Sequence, residues 1–292
     1  MGDASTLEVK TRASTVDGIF YPAEARDLRQ LVAKLIDQAP GNPGRASAII
    51  TPHAAYPYSG AVAACAYKAA AGRQVELAVL IGPVHREPAE GILLPESRFF
   101  QTPLGLVPVH LPSIEALLSC STGICCNDIP HLEEHCLEVQ LPFLQHLHPE
   151  AEIVPVLMGN SEAKNVKLLA NALQLTFSPR LESTLFVATS NMGPLSDRKV
   201  EPAAVERLLE LMVRRDWQEL LAETERGPIA PCGTGCIAVI LALSELLGKS
   251  VRVLKRGNSA SAAPEDRNVV HYAAVSVTRE EGASHGLHPD SG

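Results

Sequence analysis

The chain has 292 residues, 46% of them hydrophobic and 20% charged, which is enough apolar material for one large globular domain. The formal net charge is -8, and the 25 Lys and Arg residues are scattered along the sequence, so nucleic-acid binding is not expected. No run has the character of a signal peptide or the length of a membrane span, which predicts a cytoplasmic protein without a membrane partner. The seven cysteines are an odd number without a Cys-x-x-Cys pair, and we expect reduced thiols.

Apolar runs and helical patterns alternate along the chain. Leu28, Leu31, Val32, Leu35 and Ile36 have the spacing of one buried helix face. Further helices are predicted over residues 59–71, 113–118, 134–147, 162–176, within 202–221 and over 235–247. Strands are predicted over residues 46–50, 75–81, 152–158, 184–189, 251–255 and 269–277, with a hairpin or edge strands between 91 and 110 and a loop over 257–266. The alternation predicts an α/β fold, a single domain with a central, mainly parallel sheet flanked by helices over residues 1–278, and then a disordered tail over 279–292.

Two histidines stand where predicted strands end. His53 follows the strand at 46–50 in Thr51-Pro52-His53, and His85 follows the strand at 75–81 in Gly82-Pro83-Val84-His85. Open α/β sheets bind ligands at the carboxyl ends of their strands, and Pro stiffens the exit of each strand. A lone His is more often a structural residue, but two at equivalent strand ends favour a role as metal ligand or general base.

Cys232 stands in Pro231-Cys232-Gly233-Thr234-Gly235-Cys236, just before a strongly apolar helix. A cysteine near a helix N-terminus is predicted to have a lowered pKa and to favour thiolate, the form that binds metal or attacks carbon. The alternative is a Gly-rich turn that only lets the helix pack closely, and Cys236 fits that interpretation better. Cys232 is therefore the candidate.

His135 and Glu138 are three residues apart and share one face of a predicted helix. A carboxylate beside an imidazole can fix its tautomer or take part in acid and base chemistry. Glu134 and Glu138 are equally explained by the preference of helix N-termini for negative charge. The adjacent Cys125 and Cys126 lack a regular ligand spacing, so packing is the default interpretation for them.

Several segments, taken together, resemble the Memo family. They occur in one order over about residues 16 to 278. The matching segments are Gly18-Ile19-Phe20-Tyr21-Pro22, Pro52-His53-Ala54-Ala55-Tyr56, Tyr58-Ser59-Gly60, Ala66-Tyr67, Gly82-Pro83-Val84-His85, Thr102-Pro103-Leu104-Gly105, Glu134-His135-Cys136-Leu137-Glu138-Val139-Gln140-Leu141-Pro142, Ile153-Val154-Pro155-Val156-Leu157-Met158-Gly159, Cys232-Gly233 and Tyr272-Ala273-Ala274. The resemblance implies a fold similar to that of class III extradiol dioxygenases.

The resemblance also implies a site. The family's two histidines fall on His53 and His85 and its cysteine on Cys232, which would hold a divalent metal, with iron the first expectation and copper or zinc the alternatives. His135 is then the nearest catalytic proton donor. A small-molecule substrate or a peptide ligand is expected in the pocket, and radical-SAM and AMMECR-type proteins are partners by resemblance, as in the AmmeMemoRadiSam system.

The chain departs from the family where relatives carry Ser-Ser-Asp-Phe followed closely by His. It has Asn191 in place of the acid and Pro194 at the position aligned with the His, and Ala55 replaces a usual Gly. Three hypotheses follow, and whether the protein is an enzyme is left open. The leading one is a dioxygenase-like, metal-dependent oxidoreductase; the alternative is a non-catalytic binding or scaffold protein with a degenerate pocket; the third is a hydrolase with Cys232 as nucleophile and His53 or His85 as base.

Overall fold

A computed structural model describes residues 10–86, 89–193, 196–197, 202–227, 230–265 and 268–279. The strands are β1 (Thr11–Arg12), β2 (Ala48–Thr51), β3 (Leu77–Pro83), β4 (Ile92–Leu94), β5 (Phe99–Thr102), β6 (Gly105–Pro108), β7 (Ile124–Cys126), β8 (Glu152–Met158), β9 (Thr184–Thr189), β10 (Ser196–Asp197), β11 (Lys249–Asn258), β12 (Asn268–Val269) and β13 (His271–Arg279). The helices are α1 (Ala25–Gln38), α2 (Tyr56–Lys68), α3 (Leu111–Cys120), α4 (Asp128–Glu133), α5 (His135–Glu138), α6 (Leu141–Leu147), α7 (Ala163–Phe177), α8 (Pro202–Arg214), α9 (Trp217–Arg226) and α10 (Thr234–Leu246).

Eight of these strands form the main sheet, in the order β11-β13-β2-β9-β3-β8-β4-β7. The four central strands β2, β9, β3 and β8 are parallel to one another, and β7 is parallel to β4. Antiparallel pairing occurs between β4 and β8, between β13 and β2, and between β11 and β13. The prediction of an α/β domain with a central, mainly parallel sheet is confirmed.

The central strands are apolar because both of their faces are covered. Every residue of β2, β3 and β9 is buried, which is typical of parallel strands between layers of helices. One group of helices, α1, α2 and α6, packs together, and a second group, α7, α9 and α10, does the same; both groups contact the sheet. The core of the molecule lies between these helices and the central strands.

Three elements differ from the prediction. The helix predicted over 134–147 is two helices, α5 and α6, because Pro142 has no N–H to donate to the carbonyl of Glu138. Cys125 and Cys126, for which loop or core packing was the default interpretation, are exposed residues of the short edge strand β7. The loop predicted from residue 257 begins two residues later, because β11 stays paired with β13 as far as Asn258.

One further prediction is confirmed, and two others fall wholly or partly outside the described residues. The hairpin expected between 91 and 110 is formed by β5 and β6. Of the tail predicted over 279–292, only Arg279 is described, and it ends β13; residues 280–292 lie outside the described part of the chain, as does Pro194. Among the helices of the described residues, none combines the length and the hydropathy that crossing a membrane requires.

Candidate functional site

The parallel register of the central strands brings three chain segments together at one edge of the sheet. Thr51, at the end of β2, pairs with Thr189, at the end of β9, and β9 pairs in turn with β3. His53 follows β2 and His85 follows β3, so both imidazoles lie at the carboxyl ends of these strands. Their ring centroids are 5.0 Å apart, with the planes nearly perpendicular.

His53 is almost completely buried and is held from both sides. Its Nδ1 lies 3.0 Å from the hydroxyl of Thr189, which also accepts a hydrogen bond from the side-chain amide of Gln140. Its backbone N–H donates to Oδ1 of Asn191 at 3.3 Å. With Nδ1 engaged by Thr189, Nε2 is the ring nitrogen that faces Cys232 and the site.

Cys232 completes this side of the site. Its Sγ lies 3.0 Å from Nε2 of His53 and accepts the backbone N–H of Asn191 at 3.3 Å. Burial tends to raise the pKa of the thiol, but the interactions with His53, His85 and the Asn191 N–H outweigh it and lower the pKa to about 5. Cys232 is thus a thiolate at neutral pH.

The causes of this lowered pKa are neighbouring side chains and one backbone N–H, and the contribution that the sequence assigned to the helix dipole stays a prediction. The N-cap of α10 is Gly233, so Cys232 lies one residue before the N-cap. Gly233 is required here, because a Cβ atom at this position would lie 2.4 Å from the carbonyl oxygen of Thr189. That close approach of α10 to the end of β9 places the thiol beside the imidazoles.

Glu134 orients the histidines on the other side of the site. Its Oε1 accepts from Nδ1 of His85 at 2.9 Å and lies 3.2 Å from Nδ1 of His135, while its Oε2 accepts the backbone N–H of His85 at 2.8 Å. It also caps α5 by accepting the N–H of Cys136. With both Nδ1 atoms engaged by one carboxylate, Nε2 is the ring nitrogen that remains available on each histidine.

The charges of this group are strongly coupled. Burial opposes the ionised form of Glu134, but the neighbouring His135 and His85 hold the pKa of its carboxyl well below the usual range. Burial also tends to lower the pKa of His85, yet the hydrogen bonds to Cys232 and Glu134 raise it to about 10. Without a bound ion, His85 is thus an imidazolium, and a metal ion would take the place of its Nε2 proton.

The donor set is that of a metal centre for a borderline or soft ion. One ring nitrogen from each of His53, His85 and His135 lies within 4.8 Å of the other two. The sulfur of Cys232 lies outside that group but 3.0 Å from Nε2 of His53. Imidazole and thiolate together suit iron, copper or zinc rather than magnesium or calcium. The residues present therefore fit a bound transition metal.

A second group, formed by His85, Glu134 and Cys136, also has ligand atoms within 4.8 Å. Cys136 is fully buried, and its Sγ donates to the carbonyl of Pro83 at 3.3 Å. Burial, with Glu134 close by, raises the pKa of this thiol far above its ordinary value, so it is not a thiolate ligand.

A pocket of about 630 Å³ opens above the histidines. Ile19, Phe20, Tyr58 and Val270 line it together with the histidines, and Asn191 lines it beside Cys232. Ala55 has φ of -58° and serves as the N-cap of α2 without strain. The pocket can receive an apolar group next to the donor atoms.

The structure brings the four predicted site residues together, His53, His85, Cys232 and His135; that they bind metal or carry out catalysis stays a prediction. The carboxylate beside His135 is Glu134, whereas Glu138, which the helical spacing favoured, is buried against Arg12 and Tyr21. Sequence reasoning explained Glu134 only as a helix-terminal charge. The sequence did hold a signal for this role: Glu134 directly precedes His135, at the N-cap of the short helix α5.

The sequence was compared with protein-family models and known proteins, and the structure with solved structures. The family model described as "Memo-like protein" matches residues 12–276. The chain is 32% identical to a MEMO1 family protein of Thermotoga neapolitana, with 90% of this chain and 98% of the relative covered. It is 30% identical to a MEMO1 family protein of Aeropyrum pernix, covering 92% of this chain and all of that relative. A solved structure of an uncharacterized Escherichia coli K12 protein aligns at a TM-score of 0.48 and 12% identity, covering 78% of this chain and 98% of that one.

Proposed function

This chain belongs to the Memo family, and from that premise we propose that it is a metal-dependent, dioxygenase-like oxidoreductase whose ion is held by His53, His85 and Cys232. Iron is the first candidate for the ion, with copper or zinc as the alternatives. In this proposal the protein is cytoplasmic, where its seven free cysteines remain reduced.

One observation carries the proposal. Three side chains that are far apart in the sequence converge so closely that Cys232 Sγ is 3.0 Å from His53 Nε2, and the rings of His53 and His85 are 5.0 Å apart. Each imidazole has its other nitrogen held by a fixed partner, Thr189 for His53 and Glu134 for His85. This is the orientation of ligand nitrogens that supporting hydrogen bonds provide in metal sites.

When bound, a redox-active ion would supply the electron transfer that reaction with dioxygen requires. His135 would hold or deliver a proton at its Nε2, because Glu134 keeps its Nδ1 engaged. Ile19, Phe20 and Tyr58 would cover an apolar substrate and exclude water from the donor atoms. Asn191 would fix the positions of His53 and Cys232 rather than take part in proton transfer, since an amide has no proton to exchange at neutral pH.

The test is the metal content of the purified protein, measured by mass spectrometry after exposure to ferrous iron, copper or zinc and removal of excess ion. The wild type should retain close to one ion per chain. His53→Ala, His85→Ala and Cys232→Ser should each lose most of it.

Matched controls are available in the same chain. His146→Ala removes an exposed histidine outside the pocket, and Cys120→Ser removes an exposed thiol; both should retain wild-type metal content. If the three site variants retain as much metal as these controls, the assigned ligands are wrong.

A second function is favoured by the position of Asn191. Its side chain and backbone are already used to hold His53 and Cys232, and no carboxylate from β9 reaches the pocket in the described residues. This suits a binding protein that keeps the metal without turnover. Oxygen consumption with catechols separates the two functions, since stoichiometric metal without oxygen uptake would support the binding protein.

The hydrolase hypothesis has a geometric argument of its own. Cys232, His53 and Thr189 form a chain of nucleophile, base and orienting group with two contacts of 3.0 Å. Stoichiometric alkylation of Cys232 by iodoacetamide in protein that binds no metal would support it. Protection of Cys232 by added metal would support the metalloprotein instead.

A further inference from the structure

A second cavity, of about 940 Å³, lies at the opposite end of the same sheet. Ser47 precedes β2, Lys249 begins β11 and Arg279 ends β13, so the cavity opens at the end where β2 starts rather than where it finishes. Ser47 is six residues before His53, which at roughly 3.3 Å per residue separates the two sites by about 20 Å. A ligand in this cavity would not touch the histidines.

The lining of this cavity, which we call the basic pocket, is strongly cationic. Five positive side chains and one carboxylate belong to it. These are Arg45, Arg73, Lys249, Arg252, Arg279 and Glu182. The concentration is notable in a chain whose formal net charge is -8, and it arises only in the folded protein, since these cations are widely separated in the sequence.

The single carboxylate does not neutralise these cations. Glu182 lies 3.8 Å from Arg279, and both side chains are more than four-fifths exposed, so this pair is weak. For Lys249 and Arg252, the described part of the chain offers no carboxylate within ion-pair distance. Most of the positive charge therefore faces the cavity without a counter-charge.

Arg73 is the residue of the basic pocket whose position is fixed most firmly by the fold. Only 8% of it is exposed, and its guanidinium donates to the backbone carbonyls of Ala46, Leu181 and Glu182 at 2.7–3.0 Å. Neutral carbonyls fix its position but leave its charge unbalanced. Burial lowers the pKa of Arg73, an effect that the nearby Glu182 carboxylate opposes and that Arg45 adds to. Burial and Arg73 lower the pKa of Lys249, and Glu182 again acts in the opposite direction.

Hydroxyl groups stand among the cations. Ser47, Ser250 and Thr278 line the basic pocket, and the hydroxyls of the last two are 3.4 Å apart. The described lining contains no aromatic or large aliphatic residue. Guanidinium, ammonium and hydroxyl donors without a stacking surface suit an anion that has no aromatic body.

We propose that the basic pocket binds a small polyanion carrying at least two phosphate groups, such as inorganic pyrophosphate. The cations come from several elements, among them the residue before Ala46 and the strands β11 and β13, and two phosphate groups offer them more acceptor oxygens than one does. Arg73 provides a buried charge held by backbone carbonyls, and the half-buried Lys249 and the exposed Arg252 provide further cationic donors. The site is independent of the proposed metal site, since it shares no residue with it.

The experiment is calorimetric titration of the full chain with sodium pyrophosphate, compared with orthophosphate, at low ionic strength. We expect one pyrophosphate per chain, weaker binding of orthophosphate, and affinity that falls as sodium chloride is added. The double variant Lys249→Gln, Arg252→Gln removes two positive charges. It leaves intact the hydrogen bonds that Arg73 donates to backbone carbonyls. It should weaken pyrophosphate binding by about tenfold or more, because charge-assisted hydrogen bonds are lost.

The matched control is Arg26→Gln with Lys34→Gln, which makes the same change in net charge on the exposed face of α1. It should bind pyrophosphate within about twofold of the wild type. The proposal is wrong if the wild type shows no saturable binding at about 1 mM pyrophosphate, or if the two double variants lose the same amount of affinity. Thermal unfolding of both variants verifies that each is folded during the titration.

Discussion

The two ends of the central sheet handle charge in opposite ways. At the carboxyl ends of β2, β3 and β9, each ionised group has a partner of opposite charge, as Glu134 has in His85 and His85 has in Cys232. At the other end, the basic pocket holds five cations and one carboxylate. The same strands thus connect a balanced cluster to an unbalanced one.

This difference indicates that the charges at the carboxyl end are paired within the chain, whereas those of the basic pocket are not. The helical segment that closes the carboxyl end buries Arg12 and Glu138 completely, and Glu138 also accepts from Tyr21, Thr15 and Val16. Buried charges are tolerated only when paired and hydrogen-bonded, which this network achieves. Removal of a charge should therefore destabilise this end and should not destabilise the basic pocket.

The largest effect is expected for Arg12→Met. The change leaves the Glu138 carboxylate buried without its cation and removes the bonds that Arg12 donates to the carbonyls of His131 and Glu134. The free energy of unfolding should fall by about 3–5 kcal/mol, as measured by urea denaturation. Arg86→Met, at an exposed pair with Glu133, should change it by less than about 0.5 kcal/mol. Similar losses in the two variants would contradict the comparison.

Acid should weaken the same end. His131 is buried, and burial lowers its pKa from 6.5 to about 4, although Leu93 O, 3.1 Å from Nε2, acts in the other direction. Between these values the unfolded chain binds a proton that the folded chain does not. Stability is therefore complete above pH 6.5 and is lost as pH falls toward 4, by up to about 3 kcal/mol from this residue.

The measurement is the free energy of unfolding at intervals between pH 7 and pH 4.5, for the wild type and for His131→Asn. The variant should be less stable at pH 7, because it loses the buried ring, but its stability should depend less steeply on pH between 6.5 and 4.5. His146→Asn, at an exposed histidine, should retain the wild-type slope. Parallel curves for all three proteins would show that His131 does not carry the effect.

Glu134→Gln tests the balanced cluster directly and depends on the proposed metal function. Gln retains the shape and one acceptor but loses the charge that engages Nδ1 of both His85 and His135. Metal affinity, measured by competition with a chelator, should fall about 10- to 100-fold, since partners of ligand histidines have effects of this size. Glu133→Gln, the exposed neighbour, should bind metal like the wild type. If the Glu134→Gln and Glu133→Gln variants bind metal with equal affinity, Glu134 does not position the ligand histidines.

Much of the fold and part of the site could be predicted from sequence. The strands were predictable because parallel strands buried on both faces are continuous apolar runs, as β3 and β9 are. His53 and His85 followed from their place just after such runs. The boundary between α5 and α6 was missed because the helical pattern continued across it, although Pro142 marked the break.

Other features depend on tertiary contacts that no local pattern shows. Cys232 has a lowered pKa because α10 packs closely on the end of β9, which brings His53 and the Asn191 N–H to its sulfur. The partner of Glu138 is Arg12, which is 126 residues away in the chain. The basic pocket was missed for the same reason, since cations that are scattered in the sequence meet only when β2, β11 and β13 pair.

The smallest expected effect is a gain in stability, whereas Arg12→Met should cause a loss. Lys249 is half-buried, burial and Arg73 lower its pKa, and Gln in its place keeps a polar side chain without the charge. In protein without added anions, Lys249→Gln should raise the free energy of unfolding by about 0.3–1 kcal/mol, a small gain because solvent screens a half-exposed ammonium. Salt should reduce the gain, since it screens the repulsion in the wild type. Lys34→Gln on α1 should show no gain at any salt concentration. A loss of stability in Lys249→Gln would mean that the basic pocket balances its charge within the chain, and the contrast between the two ends of the sheet would disappear.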